Sequence, residues 1–137
     1  MISFDLARRL HDAGLAWTPA NGDAFWMPER ELDETVFTVS DMVVEVRDLP
    51  GGRSLAFNGT TEWALDDVEE ADAVWLPRLD QLLDVLGSHF VSLTARSGGH
   101  VVRVQVGQHE EDHVDVAAVD AAARAVLGSW EGRDSGV

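Results

Sequence analysis

The chain has 137 residues, 45% apolar and 26% charged, which suffices for one domain with a packed core and excludes the composition of a disordered segment. Asp and Glu number 25 against 10 basic residues, a formal net charge of -15. A phosphate backbone or an anionic membrane surface would meet long-range repulsion, and apart from Arg8-Arg9 the arginines are scattered singly, so no nucleic-acid or membrane partner is expected. Every basic residue is Arg and none is Lys, a bias that fits a GC-rich coding sequence. The absence of Cys removes disulfides, thiolate metal sites and cysteine nucleophiles together and fits a reducing compartment. Residues 1–5 carry an acid at once with no apolar run behind it, so no signal peptide is read and a cytoplasmic location is expected.

In chain order, residues 3–13 predict a helix, with Phe4, Leu6, Ala7 and Leu10 apolar, Ser3 placed as N-cap and Gly14 as the stop. Residues 15–27 hold Trp17, Phe25 and Trp26 around the turn cluster 19–23 and predict a short extended pair. β-Branched and aromatic runs follow at 35–39, 42–47 and 54–57. The last two flank Leu49-Pro50-Gly51-Gly52 and predict an antiparallel hairpin. The acidic stretch 61–70 predicts one helical turn. Residues 76–86 predict the clearest helix, since Leu76, Leu79, Leu82, Leu83 and Leu86 recur on one face, with Pro77 at its first position and Gly87 at its end.

A second hairpin is predicted from 90–95 and 101–106 across Ser97-Gly98-Gly99, with a third strand at 113–116. Asp120 is then placed to cap an alanine-rich helix reaching Trp130, and residues 131–137 are expected to fray. The expected fold class is α+β: antiparallel hairpins and meanders with about three helices packed on the sheets. A single domain over 1–137 is expected, with two tightly packed subdomains, about 1–75 and 76–137, as the alternative.

The string His109-Glu110-Glu111-Asp112-His113 matches the H-E-x-x-H pattern of zinc peptidases. That chemistry needs both histidines one helical turn apart on a common face, with the glutamate as general base for a metal-bound water. The flanking alternation predicts strands, not a helix, so the string reads first as a solvated acidic hairpin loop. His109, His113 and Glu110 form the metal site of the alternative reading. His11, His89 and His100 are isolated along the chain and predict structural or surface roles. No G-x-S-x-G elbow occurs, and Gly51-Gly52 and Gly98-Gly99 lack the lysine and following helix of a phosphate loop. Asp66-Asp67 and Glu69-Glu70 lack the spacing and central glycine of a calcium loop. No cofactor is expected.

Tryptophan is enriched at interaction surfaces, because a large apolar body can be buried by a partner while the N–H finds an acceptor. Trp63 and Trp75, with Asp66, Asp67, Glu69 and Glu70, are therefore the expected partner-binding set, and the acids would select a cationic protein.

The runs Leu6-Ala7-Arg8-Arg9-Leu10, Ala13-Gly14-Leu15-Ala16-Trp17-Thr18-Pro19, Gly22-Asp23, Ser40-Asp41-Met42, Phe57-Asn58-Gly59-Thr60-Thr61-Glu62-Trp63-Ala64-Leu65 and Trp75-Leu76-Pro77-Arg78 resemble a group of short actinobacterial proteins labelled pilus assembly proteins. The resemblance covers roughly the first 85 residues. The pilus assembly protein usually meant by that name is similar to chromosome-partitioning ATPases, whose phosphate loop needs a lysine that this chain lacks. The resemblance implies a family and carries over no functional residues. The expected function is thus a non-catalytic accessory or adaptor domain binding a protein through an acidic, tryptophan-containing face. A metal-dependent hydrolase and an acidic mimic of nucleic acid are the alternatives.

Overall fold

The computed structural model describes residues 1–28, 36–39, 43–49, 52–58, 67–69 and 73–135. The fold is α+β, with three α-helices and antiparallel sheets among the described residues. Its contacts divide the chain into two compact units, one formed by Met1–Leu15 with Pro77–Val137 and the other by Ala16–Leu76. The first fifteen residues thus group with the C-terminal part of the chain.

In the first unit, helix α1 spans Phe4–Asp12. The Ser3 hydroxyl accepts the Leu6 N–H at 3.3 Å, satisfying one of the donors that a helix start leaves unpaired. Leu6, Ala7 and Leu10 form its buried face. Helix α2 spans Leu79–Leu86 and buries Leu82 and Leu86. It starts three residues later than the leucine spacing predicts. Leu76 instead ends a strand in the other unit, paired with Ala24, and Pro77 biases the residue before it towards extended backbone. The Arg78 N–H donates to Gln81 Oε1 at 2.9 Å and closes the start of α2.

Strands β7 (Phe90–Arg96), β8 (Gly99–Val106) and β9 (His109–Asp115) form an antiparallel meander in that order. Gly98 and Gly107 adopt φ values of 86° and 61° in the two tight turns, a region that side-chain-bearing residues enter at a cost. Helix α3 spans Ala118–Ser135 and packs on β8 and β9, with α1 and α2 packed against α3. Ala121, Ala122, Ala123 and Ala125 are all fully buried. Their small side chains bring the helix axis close to its neighbours, and alanine is the strongest helix former.

Several expectations change here. Asp120 lies within the first turn of α3, not at its cap, and its carboxylate accepts the Ser3 N–H at 2.8 Å, tying two helix starts together. The helix continues past Trp130 to Ser135. Residues 109–112, expected as a loop, belong to β9 because the preceding turn closes at Gly107-Gln108.

In the second unit, β1 (Ala24–Trp26) lies between β2 (Val36–Thr38) and β6 (Val74–Leu76), antiparallel to both. The extended pair expected within 15–27 is therefore one strand, whose partners come from elsewhere in the chain. The hairpin between β3 (Val43–Leu49) and β4 (Gly52–Asn58) forms as expected, and β5 (Asp67–Glu69) adds to β4. Ladder pairing with β4 makes residues 67–69 a strand where the acidic composition suggested a helical turn. The remainder of 61–70 lies outside the described residues.

Candidate functional site

Register places Phe37, Phe25 and Trp75 side by side across β2, β1 and β6. Phe25 stacks on Phe37 with centroids 5.4 Å apart, and Trp17 lies parallel to Trp75 at 6.4 Å. Trp17, Phe25, Met27, Val39 and Ala73 form the buried cluster against which Phe37 and Trp75 pack. Such cross-strand aromatic rows stabilise the sheet face they share.

Asp23 is buried beside this row. One of its oxygens accepts both the Trp17 indole N–H and the Ala20 N–H, each at 3.0 Å. The Trp75 indole nitrogen is buried and has no hydrogen-bond partner among the described residues. Trp75 is accordingly half-buried with its N–H edge inside, so a partner meets only part of the ring. Of the acids grouped with it in the sequence reading, residues 67 and 69 occupy alternate positions of β5, paired with Ala56 and Ser54. Trp63, Asp66 and Glu70 lie outside the described residues.

The H-E-x-x-H string lies on β9. Alternation along a strand puts His109, Glu111 and His113 on one face and Glu110 and Asp112 on the other. Glu111, not Glu110, thus stands between the histidines, with one oxygen 3.2 Å from His109 Nε2 and the other 3.5 Å from His113 Nε2. Residues four apart on a strand are separated by roughly 13 Å of backbone, whereas zinc holds imidazole nitrogens at about 2.0–2.1 Å from a common centre. Among the described residues, no three His, Asp or Glu side chains are grouped to hold a metal ion. His89 and His100 make structural contacts, their Nδ1 atoms lying 3.0 Å from the Gln105 carbonyl and 2.9 Å from the Val116 carbonyl.

On the outer face of the meander, Arg103 and Asp112 are directly opposed and joined by two hydrogen bonds of 2.7 and 3.2 Å. The guanidinium holds the Asp112 carboxyl below its usual range, and the carboxylate raises the Arg103 pKa in return. On the helix-facing side, Arg124 Nε donates to Asp115 at 2.8 Å. This hydrogen bond, supported by the Val116 and Ala117 N–H groups, lowers the Asp115 pKa.

His113 reaches the surface of α3 at Gly128. A Cβ at that position would lie 2.8 Å from His113 Nε2, so the ring occupies space that any other residue would fill. Beside it, Arg9, His113, Arg124, Leu127 and Gly128 line an open cavity of about 180 Å³. The sequence reading singled out His113 but not the other four. Gly128, an interruption in an alanine-rich helix, was the only local signal of a close approach. Compared with known proteins, the chain matches no family description, and no curated protein or solved structure is significantly similar to it.

Proposed function

We propose that the chain is a non-catalytic adaptor domain that binds a protein partner bearing a basic surface. The net charge of -15 carries this reading. Asp5, Asp12, Asp80, Asp84, Glu110 and Asp112 all occupy exposed positions on the helices and on β9. A field of this sign accelerates encounter with cationic partners and disfavours anionic ones. Trp63 and the accessible part of Trp75 supply the apolar contact in this reading, with Asp66, Asp67, Glu69 and Glu70 as its acidic surround. No helix among the described residues is long and apolar enough to cross a membrane.

The test is affinity capture of the tagged chain from its native host after gentle cross-linking, with identification of co-purifying proteins against a tagged control. The expected result is one dominant basic partner, released by raised salt and lost with Trp63→Ala in a chain of unchanged circular dichroism. No partner above the control would overturn the adaptor reading. A DNA-binding protein displaced by duplex DNA would replace it with nucleic-acid mimicry. Stoichiometric zinc in the purified chain, lost with His109→Ala, would replace it with the metal-dependent reading.

A further inference from the structure

We propose that the cavity between α1, β9 and α3 binds a small organic anion through Arg9 and Arg124, the anionic group being a carboxylate or a phosphate ester. In a chain with 25 acids and 10 arginines, a cleft lined without regard to charge would hold more acids than arginines. Among the described residues its lining is two arginines, a histidine, Leu127 and Gly128, with no acid; the carboxylates nearest to them, Asp115 on Arg124 and Glu111 on His113, stand behind the lining. Among the described residues the Arg9 guanidinium makes no ion pair or hydrogen bond, so its full set of donors is available. Arg124 gives its Nε to Asp115, which fixes the guanidinium plane and leaves both terminal nitrogens as donors. Planar forks of this kind suit the paired oxygens of carboxylates and phosphates.

The rest of the lining determines the size and character of the ligand. A volume of about 180 Å³ compares with the roughly 150 Å³ that accommodates a benzene-sized molecule. Leu127 and the bare helix backbone at Gly128 provide an apolar wall, which favours an anion with a short carbon skeleton over a fully hydrated inorganic ion. The His113 Nε2 is buried beside the cavity and has no hydrogen-bond partner among the described residues. Its nearest carboxylate oxygen, on Glu111, is 3.5 Å away, at the outer limit of a useful contact. A modest shift of the ring would turn this nitrogen towards a bound anion as a third donor.

The overall negative charge opposes anion binding, but that field is screened beyond about 8 Å at physiological ionic strength. Charge-assisted hydrogen bonds act at contact and are the stronger effect within the cleft.

The proposal is tested by amide NMR titration of the whole chain with propionate and, separately, methyl phosphate, using chloride at matched ionic strength as the control. Saturable shifts centred on Arg9, His113, Arg124 and Gly128 are expected with at least one probe, and the stronger responder identifies the anionic group. Arg9→Gln, at an exposed position, is expected to weaken binding about tenfold, equivalent to losing one charged contact, with the circular dichroism unchanged. Three results would overturn the proposal: no saturation with either probe at about 20 mM, where even a weak site of millimolar affinity is filled; an equal response to chloride; or unchanged affinity in Arg9→Gln.

Discussion

Replacing Gly128 by Ala should destabilise the chain even though alanine is the better helix former. In a helix interior the change from Gly to Ala contributes about 0.5–1 kcal/mol in favour of folding, through the restricted unfolded chain and the intrinsic propensity. Here the added methyl would press on the His113 ring, 2.8 Å from Nε2 and closer still to Cε1. The ring must turn out towards the cavity or α3 must lift from β9, and overpacking of this kind typically costs about 1–3 kcal/mol. The two effects leave a net loss of about 1 kcal/mol. With the ring removed in His113→Ser, the same Gly128→Ala change should stabilise by about 0.5–1 kcal/mol, a coupling of about 1.5–2 kcal/mol between contacting positions. Urea unfolding of the four proteins, followed by far-UV circular dichroism, measures the cycle. Stabilisation by Gly128→Ala in both backgrounds would refute the contact between the ring and the helix.

Asp23→Ala should cost about 1–3 kcal/mol, because it strands the buried Trp17 indole N–H and removes the acceptor of the part-buried Ala20 N–H, while Asp23→Asn should cost less by keeping an acceptor; tryptophan fluorescence during urea unfolding reports the difference. The Asp115 carboxyl titrates below its unfolded value of about 3.9, so its contribution to stability is present above that pH and is lost as pH falls through the lower folded value. Arg124→Gln should therefore make the acid limb shallower below about pH 4, measured as midpoint against pH. Ser3→Ala should cost about 1 kcal/mol through loss of the α1 cap. Asp120→Ala should raise amide exchange at Ser3, whose N–H loses its acceptor.

Features encoded over short distances were legible in the sequence. Ser3 caps α1, and the hairpins β3–β4 and β7–β8 sit where glycine turns separate β-branched runs. The misread elements depend on distant partners. Leu76 carries the leucine spacing of a helix but pairs with Ala24, and Asp120 looks like a cap but bonds Ser3, 117 positions away. The H-E-x-x-H string shows the same limit, because its meaning depends on backbone period. On a strand the glutamate between the histidines becomes Glu111, and Glu110 turns to the opposite face. The cavity was the least visible feature, since Arg9, His113 and Arg124 come from three elements and none is unusual in its own neighbourhood.

β9 is the outer strand of its sheet, paired with β8 alone among the described residues. An outer strand presents a row of free N–H and C=O groups that any extended chain can use as a template. In this strand, Glu110, Glu111 and Asp112 are consecutive and project to both faces of the sheet. A second copy docking antiparallel along β9 would bring its own three carboxylates against them, with Arg103 already committed to Asp112. The string that suggests a metal centre on paper would, at this sheet margin, oppose edge-to-edge docking of a second copy by like-charge repulsion.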